Sequence, residues 1–182
     1  MKLGKTLYVK DRKEWRAWLR KNGRKENVIW LIYYKKASGK LRIPYNDAVE
    51  EALCFGWIDS TVKSIDDERF AQRFTPRRKG SPVSEMNKER IRRLIKQKRM
   101  TAAGLAAVSL KKKRLVIAKD IVKTLKKDGK AWENFRKFPE HYRRIRIAYL
   151  ESQRRHSHEM FLKALNNFVR MTSRNKKLGM VK

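Results

Sequence analysis

Two short segments of the sequence carry the residue types best suited to binding a small ligand. Trp57 and Asp59 lie in the first segment, and Arg73, Arg77 and Arg78 lie in the second. An indole ring offers a flat surface for stacking, and guanidinium groups bind phosphate or carboxylate through charge-assisted hydrogen bonds. The full set of candidate ligand-binding residues is Tyr34, Lys35, Trp57, Asp59, Arg73, Arg77 and Arg78. If these side chains converge, they would form a shallow pocket for a small anionic ligand, in an enzyme or in a ligand sensor.

A predicted β-hairpin would position these residues. Segments 57–63 and 69–75 are rich in β-type side chains and flank a short acidic link. Alternation within each strand gives one apolar face and one face that carries Trp57, Asp59 and Arg73. On that face Asp59 and Arg73 either border an open pocket or form a cross-strand ion pair beneath a helix that covers Trp57. The ion pair is the favoured interpretation, and the pocket is the alternative.

Residues that could perform catalysis are sparse. His156 and His158 are two positions apart, so a helix would point them to different sides, and no group of Cys or carboxylates completes a metal site. Cys54 follows an apolar stretch and has no neighbouring His to activate its thiol. The sequence also lacks the glycine-rich phosphate-binding loops of nucleotide enzymes. We therefore predict no catalytic residue, no metal and no cofactor.

Positive charge is the strongest feature of the composition. The 182 residues include 49 Lys and Arg against 18 Asp and Glu, which gives a formal net charge of +31 and a pI near 10.7. A charge of this size attracts polyanions, so nucleic acid and acidic proteins become candidate partners. The alternative is a compositional bias toward lysine that serves no dedicated site.

The charge is concentrated in the second half of the chain. Residues 1–80 carry a net charge of +10, and residues 81–182 carry +21. No zinc-finger, helix-turn-helix or RNA-recognition pattern is present, so nucleic-acid binding would depend on the phosphate backbone and would weaken steeply with salt. The candidate polyanion-binding residues are Lys88, Arg92, Arg93, Lys96, Arg99, Lys112, Lys113 and Arg114.

The sequence predicts a cytoplasmic location. It has a single cysteine, Cys54, in an apolar setting that suggests a buried reduced thiol. The first 18 residues lack the apolar run of a signal peptide, and no stretch approaches the ~20 apolar residues of a membrane span.

The N-terminal half predicts a small α+β domain. Asp11 begins a helix that ends at Asn22-Gly23, and residues 28–34 form an apolar run typical of a central strand. A second helix over 45–55, capped by Gly56, precedes the hairpin.

The C-terminal half predicts helices only. A helix capped by Ser84 would bury Ile95, and an Ala-rich helix starting after Thr101 would bury Leu105. Further helices are expected at 117–128, 131–138, 140–153 and 157–171, the last with Met160 on its apolar stripe. We therefore predict an α+β fold, with a small antiparallel sheet and helices in a domain over 1–80 and an all-helical basic domain over 81–182.

Several ordered motifs resemble one protein family. They are Tyr-Tyr-Lys-Lys at 33–36, Ala-Leu-Cys-Phe-Gly-Trp-Ile-Asp-Ser at 52–60 and Arg-Phe-Thr-Pro-Arg-Arg at 73–78, followed by Ser84, Asn87 and Gly104. In these motifs the chain is similar to the YdeI/OmpD-associated family, also called bacteriocin-protection proteins. The likeness extends into the C-terminal helical region, where it is weaker.

This resemblance implies a role in envelope stress or antimicrobial tolerance, and it supplies no catalytic residue to transfer. A direct shield against cationic peptides is opposed by the net charge of +31, because like charges repel. The sequence therefore predicts a non-enzymatic protein that binds a polyanion through a basic surface. The alternatives are an enzyme or ligand sensor that uses the Trp57 pocket, and a module that docks an acidic protein.

Overall fold

A four-stranded sheet is formed by the first half of the chain. The computed structural model describes residues 3–110 and 114–179. Its strands are β1 (Thr6–Tyr8), β2 (Ile29–Tyr34), β3 (Trp57–Ser64) and β4 (Arg69–Pro76), in the order β1-β2-β4-β3. The predicted hairpin and the central strand are confirmed. The α+β class is also confirmed, but the sheet is mixed, because the short strand β1 was not predicted and pairs with β2 in parallel.

Two helices cover one face of this sheet. They are α1 (Arg12–Asn22), capped by the Asp11 side chain, and α2 (Tyr45–Cys54). Both helices were predicted from apolar residues at helical spacing. Side chains from both helices and three strands form one core, whose largest members include Trp15, Leu19, Leu31, Tyr33, Trp57 and Phe74.

Two further helices pack against the other side of α2. They are α3 (Glu85–Lys96) and the short α4 (Ala102–Ala106). Helix α3 shares a second apolar cluster with α2 that includes Val49, Leu53, Cys54, Ile91 and Leu94. At Gly104 a Cβ atom would lie only 2.1 Å from the carbonyl oxygen of Cys54. Only glycine allows this close approach of α4 to the end of α2.

Four helices form a separate core in the C-terminal part. They are α5 (Lys119–Lys127), α6 (Gly129–Lys137), α7 (Glu140–His156) and α8 (His158–Ser173). Their existence and approximate bounds were predicted. The side chains of Asp128 and Ser157 cap α6 and α8, as their residue types favour. The buried residues include Ile121, Leu125, Phe135, Tyr142, Leu150, Phe161, Leu165 and Phe168.

The compact units of the structure differ from the predicted domains. One unit comprises Met1–Val83 and Asn87–Leu110, and the other comprises Ser84–Met86 and Lys111–Lys182. The prediction divided the chain at residue 80, whereas α4 and most of α3 belong to the first unit. Ile91 and Leu94 of α3 pack on α2, and Gly104 of α4 lies against the end of α2. Of the helices within residues 3–110 and 114–179, none is sufficiently long and apolar to cross a membrane.

Three residues that were predicted to point inward are exposed. Ile95, Leu105 and Met160 have relative exposures of 41%, 48% and 46%. Each lies at the border of an apolar helical stripe, where side chains remain partly in water.

Candidate anion-binding site

Trp57 does not border an open pocket. Its side chain is almost fully buried, with 1% exposure, and its indole nitrogen donates a hydrogen bond to the Gly23 carbonyl oxygen at 3.0 Å. The Trp18 ring meets it edge to face. The predicted stacking surface is therefore wrong, because Trp57 belongs to the core under α1.

Asp59 and Arg73 point to opposite faces of the sheet. In the pairing of β3 with β4, Asp59 lies opposite Phe74, which faces the helices, while Arg73 lies opposite Trp30 of β2 on the other face. Neither the predicted ion pair nor the predicted pocket forms, since each strand alternates as expected but the register between them was misjudged. Asp59 instead accepts a hydrogen bond from the Tyr45 hydroxyl at 2.7 Å.

The other residues of the predicted pocket are scattered. The Lys40 ammonium lies over the Tyr34 ring, and Lys35 and Arg78 are exposed. Arg77 donates to the carbonyl oxygens of Ser81 and Pro82, each at 3.1 Å. Burial lowers the pKa of Arg77. Its hydrogen bonds stabilise the loop after β4.

The predicted polyanion surface on α3 is only partly directed toward solvent. Arg93 and Arg99 form ion pairs with Glu50 and Glu51 of α2. Lys96 is exposed, and Arg92 pairs with Glu89 of the same helix at 3.2 Å. Of the remaining predicted residues, Lys88 is half-buried, Arg114 is exposed, and Lys112 and Lys113 lie outside the described residues.

Two adjacent glutamates of α2 organise the arginines around them. Glu51 is fully buried and Glu50 is 7% exposed. Because an unpaired buried carboxylate is strongly destabilised, each is surrounded by cations. We call Glu50 and Glu51, together with Arg12, Arg16, Arg93 and Arg99, the acid–arginine cluster.

The acid–arginine cluster holds Arg16 in one orientation. Its guanidinium donates to Glu51 at 2.7 Å and to the Arg99 carbonyl oxygen at 3.0 Å, and it lies over the Phe55 ring at 5.2 Å. Burial disfavours its charge, but the hydrogen bond and attraction to Glu51 prevail and raise the pKa of Arg16. This arginine is therefore fixed and permanently charged.

A pocket of about 330 Å³ opens beside Arg16, within the first unit. Arg16 and Arg20 are one helical turn apart on α1, and Arg24 follows in the turn after the helix. We call this concavity the arginine pocket; it is lined by Arg16, Leu19, Arg20, Gly23, Arg24, Phe55, Thr101 and Ala103. Three guanidinium groups and no carboxylate line it, which suits an anion.

The arginine pocket was not among the sites predicted from the sequence. Arg16, Arg20 and Arg24 recur every four residues, and this spacing was a signal that they share one side of a helix. A second signal was Glu50-Glu51, an acidic pair inside an otherwise apolar helix of a strongly basic chain. Such a pair requires cationic partners once it is buried.

A row of lysines lies on α5 in the second unit. Lys119, Lys123 and Lys127 are all exposed and occur at four-residue intervals, so they share one side of the helix. None has a carboxylate partner within the described chain. Asp120, which follows Lys119, is bound by Arg154 at 2.8 Å, and Asp128, which follows Lys127, caps α6. We call these three residues the lysine stripe.

Lysine and arginine have different tasks in this protein. Most ion pairs within residues 3–110 and 114–179 use arginine, and the buried carboxylates of the first unit use arginine alone. Arginine suits such pairs because its planar fork binds a carboxylate at two points and is weakly hydrated. In the part of the chain that the structure describes, no group of three His, Cys, Asp or Glu residues is arranged to hold a metal ion.

The fold defines a basic α+β protein with exposed cations in both units. A family model described as a domain of unknown function, DUF8412, matches residues 7–107, more than half of the chain. The protein therefore belongs to the DUF8412 family. The match includes the sheet, α1 to α4 and every residue of the arginine pocket. No curated protein and no solved structure matches the chain significantly.

Proposed function

We propose that this protein is a non-enzymatic polyanion-binding protein of the YdeI/OmpD-associated type, with a role in stress or antimicrobial tolerance. Its leading partner is nucleic acid, bound through the phosphate backbone. The motifs at 52–60 and 73–78 support the family assignment. We further propose a cytoplasmic location, for which the lone buried thiol of Cys54 is the support.

The lysine stripe is the observation that carries this proposal. Like charges four residues apart on a helix destabilise it by a few tenths of a kcal/mol per pair. Lys119, Lys123 and Lys127 therefore oppose the stability of α5 unless an anion neutralises them. Strongly hydrated lysine ammonium groups suit a sequence-independent contact with phosphates, because they act as point charges on flexible stems.

Other cations of each unit are candidates for separate phosphate contacts. The proposed additional contacts are the exposed Lys96 and Arg114, together with the half-buried Lys88 and Arg92. Arg93 and Arg99 are excluded from the proposal, because the acid–arginine cluster already engages them. The basic tail beyond α8, with Lys176 and Lys177, adds further charge.

The experiment is a titration of labelled duplex DNA and RNA at two salt concentrations, followed by fluorescence anisotropy. The logarithm of the affinity should fall linearly with the logarithm of salt concentration, with a slope of about −0.9 per phosphate contacted on DNA. Replacing Lys119, Lys123 and Lys127 by Gln should make that slope shallower by about 2 to 3.

A matched control removes the same charge elsewhere. Lys10, Lys13 and Lys21 are also exposed, and their replacement by Gln lowers the net charge by the same amount in the first unit. This control should leave the slope nearly unchanged. Equal effects from both triple variants would show that only overall charge matters, and weak binding at low salt would remove the proposal.

An acidic protein is the competing partner. Polyglutamate serves as its probe, because it carries carboxylates rather than phosphates on a flexible chain. Nucleic acid should bind more tightly than polyglutamate of equal charge at the same salt concentration. The reverse order would favour a docking module for an acidic protein.

A further inference from the structure

The arginine pocket holds more positive charge than its surroundings neutralise. The Arg16 guanidinium donates hydrogen bonds to Glu51 and to the Arg99 carbonyl oxygen. Arg20 and Arg24 are exposed and have no carboxylate partner among the described residues. Guanidinium groups that line one concavity repel each other, so a bound anion would relieve a cost that the free protein bears.

We infer that the arginine pocket is a binding site for a small phosphate monoester. This site goes beyond the proposed polyanion binding, because it lies in a different unit from the lysine stripe and recognises a discrete molecule. The unpaired charges of Arg20 and Arg24 match the two charges that a monoester carries near neutral pH. A guanidinium fork also matches two phosphate oxygens at once, which a lysine cannot do.

The remaining lining selects an ester over free phosphate. Leu19, Phe55 and Ala103 give the pocket an apolar part beside its charged part. The volume of about 330 Å³ lies at the lower end of the range for small-molecule sites. A small organic group attached to the phosphate would fill this space, and a duplex could not enter it.

The rigid groups of the pocket are already in place. Arg16 is held by three contacts, and Thr101 donates its hydroxyl to the Cys54 carbonyl oxygen at 2.7 Å while it accepts from the Gly104 amide at 3.1 Å. Because both hydrogen bonds of the Thr101 hydroxyl are made within the protein, the guanidinium groups would bind the phosphate. Only Arg20 and Arg24 need to adjust when the ligand binds, which limits the entropy lost.

Isothermal titration calorimetry with phenyl phosphate tests this inference. Inorganic phosphate, benzoate and phenol are the comparison ligands. Phenyl phosphate should bind at least about tenfold more tightly than each of them, because only it supplies both a dianion and an apolar group. Absence of phenyl phosphate binding, or equal affinity for benzoate, would overturn the inference.

A pair of double variants separates the pocket from general charge. Arg20→Gln with Arg24→Gln should weaken phenyl phosphate binding about tenfold or more. The control is Lys21→Gln with Lys25→Gln, which removes equal charge from neighbouring exposed positions outside the pocket lining. The control should change the affinity by less than about twofold, and equal losses in the two variants would contradict a localised site.

A third variant retains the charge and removes only the fork. Arg20→Lys with Arg24→Lys should also weaken binding, since an ammonium group cannot make the paired contact. Full retention of affinity would refute recognition by the arginine forks. The triple Gln variant of the lysine stripe should bind phenyl phosphate normally, so failure of the polyanion proposal and failure of this one give different results.

Discussion

The acid–arginine cluster and the lysine stripe use positive charge in opposite ways. Around Glu50 and Glu51, four arginines satisfy buried carboxylates and join α1, α2 and α3. On α5, three lysines project into solvent without a carboxylate partner in the described chain. Net charge alone therefore does not identify a binding surface, because part of it neutralises the protein's own interior.

The largest effect should follow from removing the fully buried carboxylate. Glu51→Gln leaves the charges of Arg16 and Arg99 without their partner, and we expect the free energy of unfolding to fall by about 3–5 kcal/mol. Urea denaturation measures this change. The control Glu159→Gln breaks an exposed pair with Lys163 and should cost less than about 1 kcal/mol. Similar losses would mean that burial does not distinguish the two pairs.

The packing of the first unit also depends on how closely α4 approaches α2. Gly104→Ala would place a Cβ atom 2.1 Å from the Cys54 carbonyl oxygen, so the helices must separate. We expect a loss of about 2–3 kcal/mol in urea denaturation. Gly4→Ala, where no atom lies within 4 Å of the new Cβ, should be close to neutral. A neutral result at Gly104 would show that α4 shifts freely.

Two cations on α3 test the contrast within one helix. Arg93 pairs with Glu50 across helices, whereas Lys96 is exposed without a carboxylate partner in the described chain. Since the Arg93 side chain is itself 56% exposed, Arg93→Gln should cost about 1 kcal/mol. Lys96→Gln should leave stability within about 0.5 kcal/mol and weaken binding to DNA. Thermal unfolding measures the change in stability, and fluorescence anisotropy measures DNA binding. Equal effects of the two variants in both measurements would show that Arg93 and Lys96 do not differ in role.

Tyr45 provides a pH-dependent test of the first unit. Burial, followed by the hydrogen bond to Asp59, raises the pKa of Tyr45 to about 12. A raised pKa stabilises the fold below the ordinary tyrosine value, and this contribution is lost as the pH rises from about 10 to about 12. Ultraviolet titration should show a late-ionising tyrosine that Tyr45→Phe removes. A titration unchanged by that substitution would contradict the assignment.

A small effect on stability should come from the lysine stripe, and its sign should be favourable. Lys123→Glu replaces two repulsive contacts with pairs to Lys119 and Lys127, so α5 should gain about 0.3–1 kcal/mol. The same change should weaken polyanion binding. Thermal unfolding and anisotropy would then move in opposite directions, as expected when a residue serves binding at the expense of stability. Loss of stability would argue that Lys123 has a structural task.

Local patterns in the sequence predicted most of the fold. Trp15 and Leu19 on α1, and Phe161, Leu165 and Phe168 on α8, recur at helical spacing, and all are buried. Asp11, Thr101 and Ser157 cap helices as their side chains favour. Strand β1 was missed because three residues give too short a pattern.

The site could not be predicted in the same way, because it depends on which elements meet. Alternation correctly divided the faces of β4 and of the first part of β3. Pairing places Asp59 opposite Phe74 and Val62 opposite Gln72, so an extra residue bulges between them and shifts the remainder of β3. Local sequence patterns do not indicate that shift. They also do not indicate that Glu51 of α2 pairs with Arg99, which follows α3.

Cys54 gives the first unit an intrinsic reporter of its own opening. It is the single cysteine of the chain and is buried at the end of α2, where burial raises the pKa of its thiol. An alkylating reagent added under native conditions will react only when the packing of α2 against α3 and α4 is transiently lost. The labelling rate then measures how often this region opens, without any engineered probe.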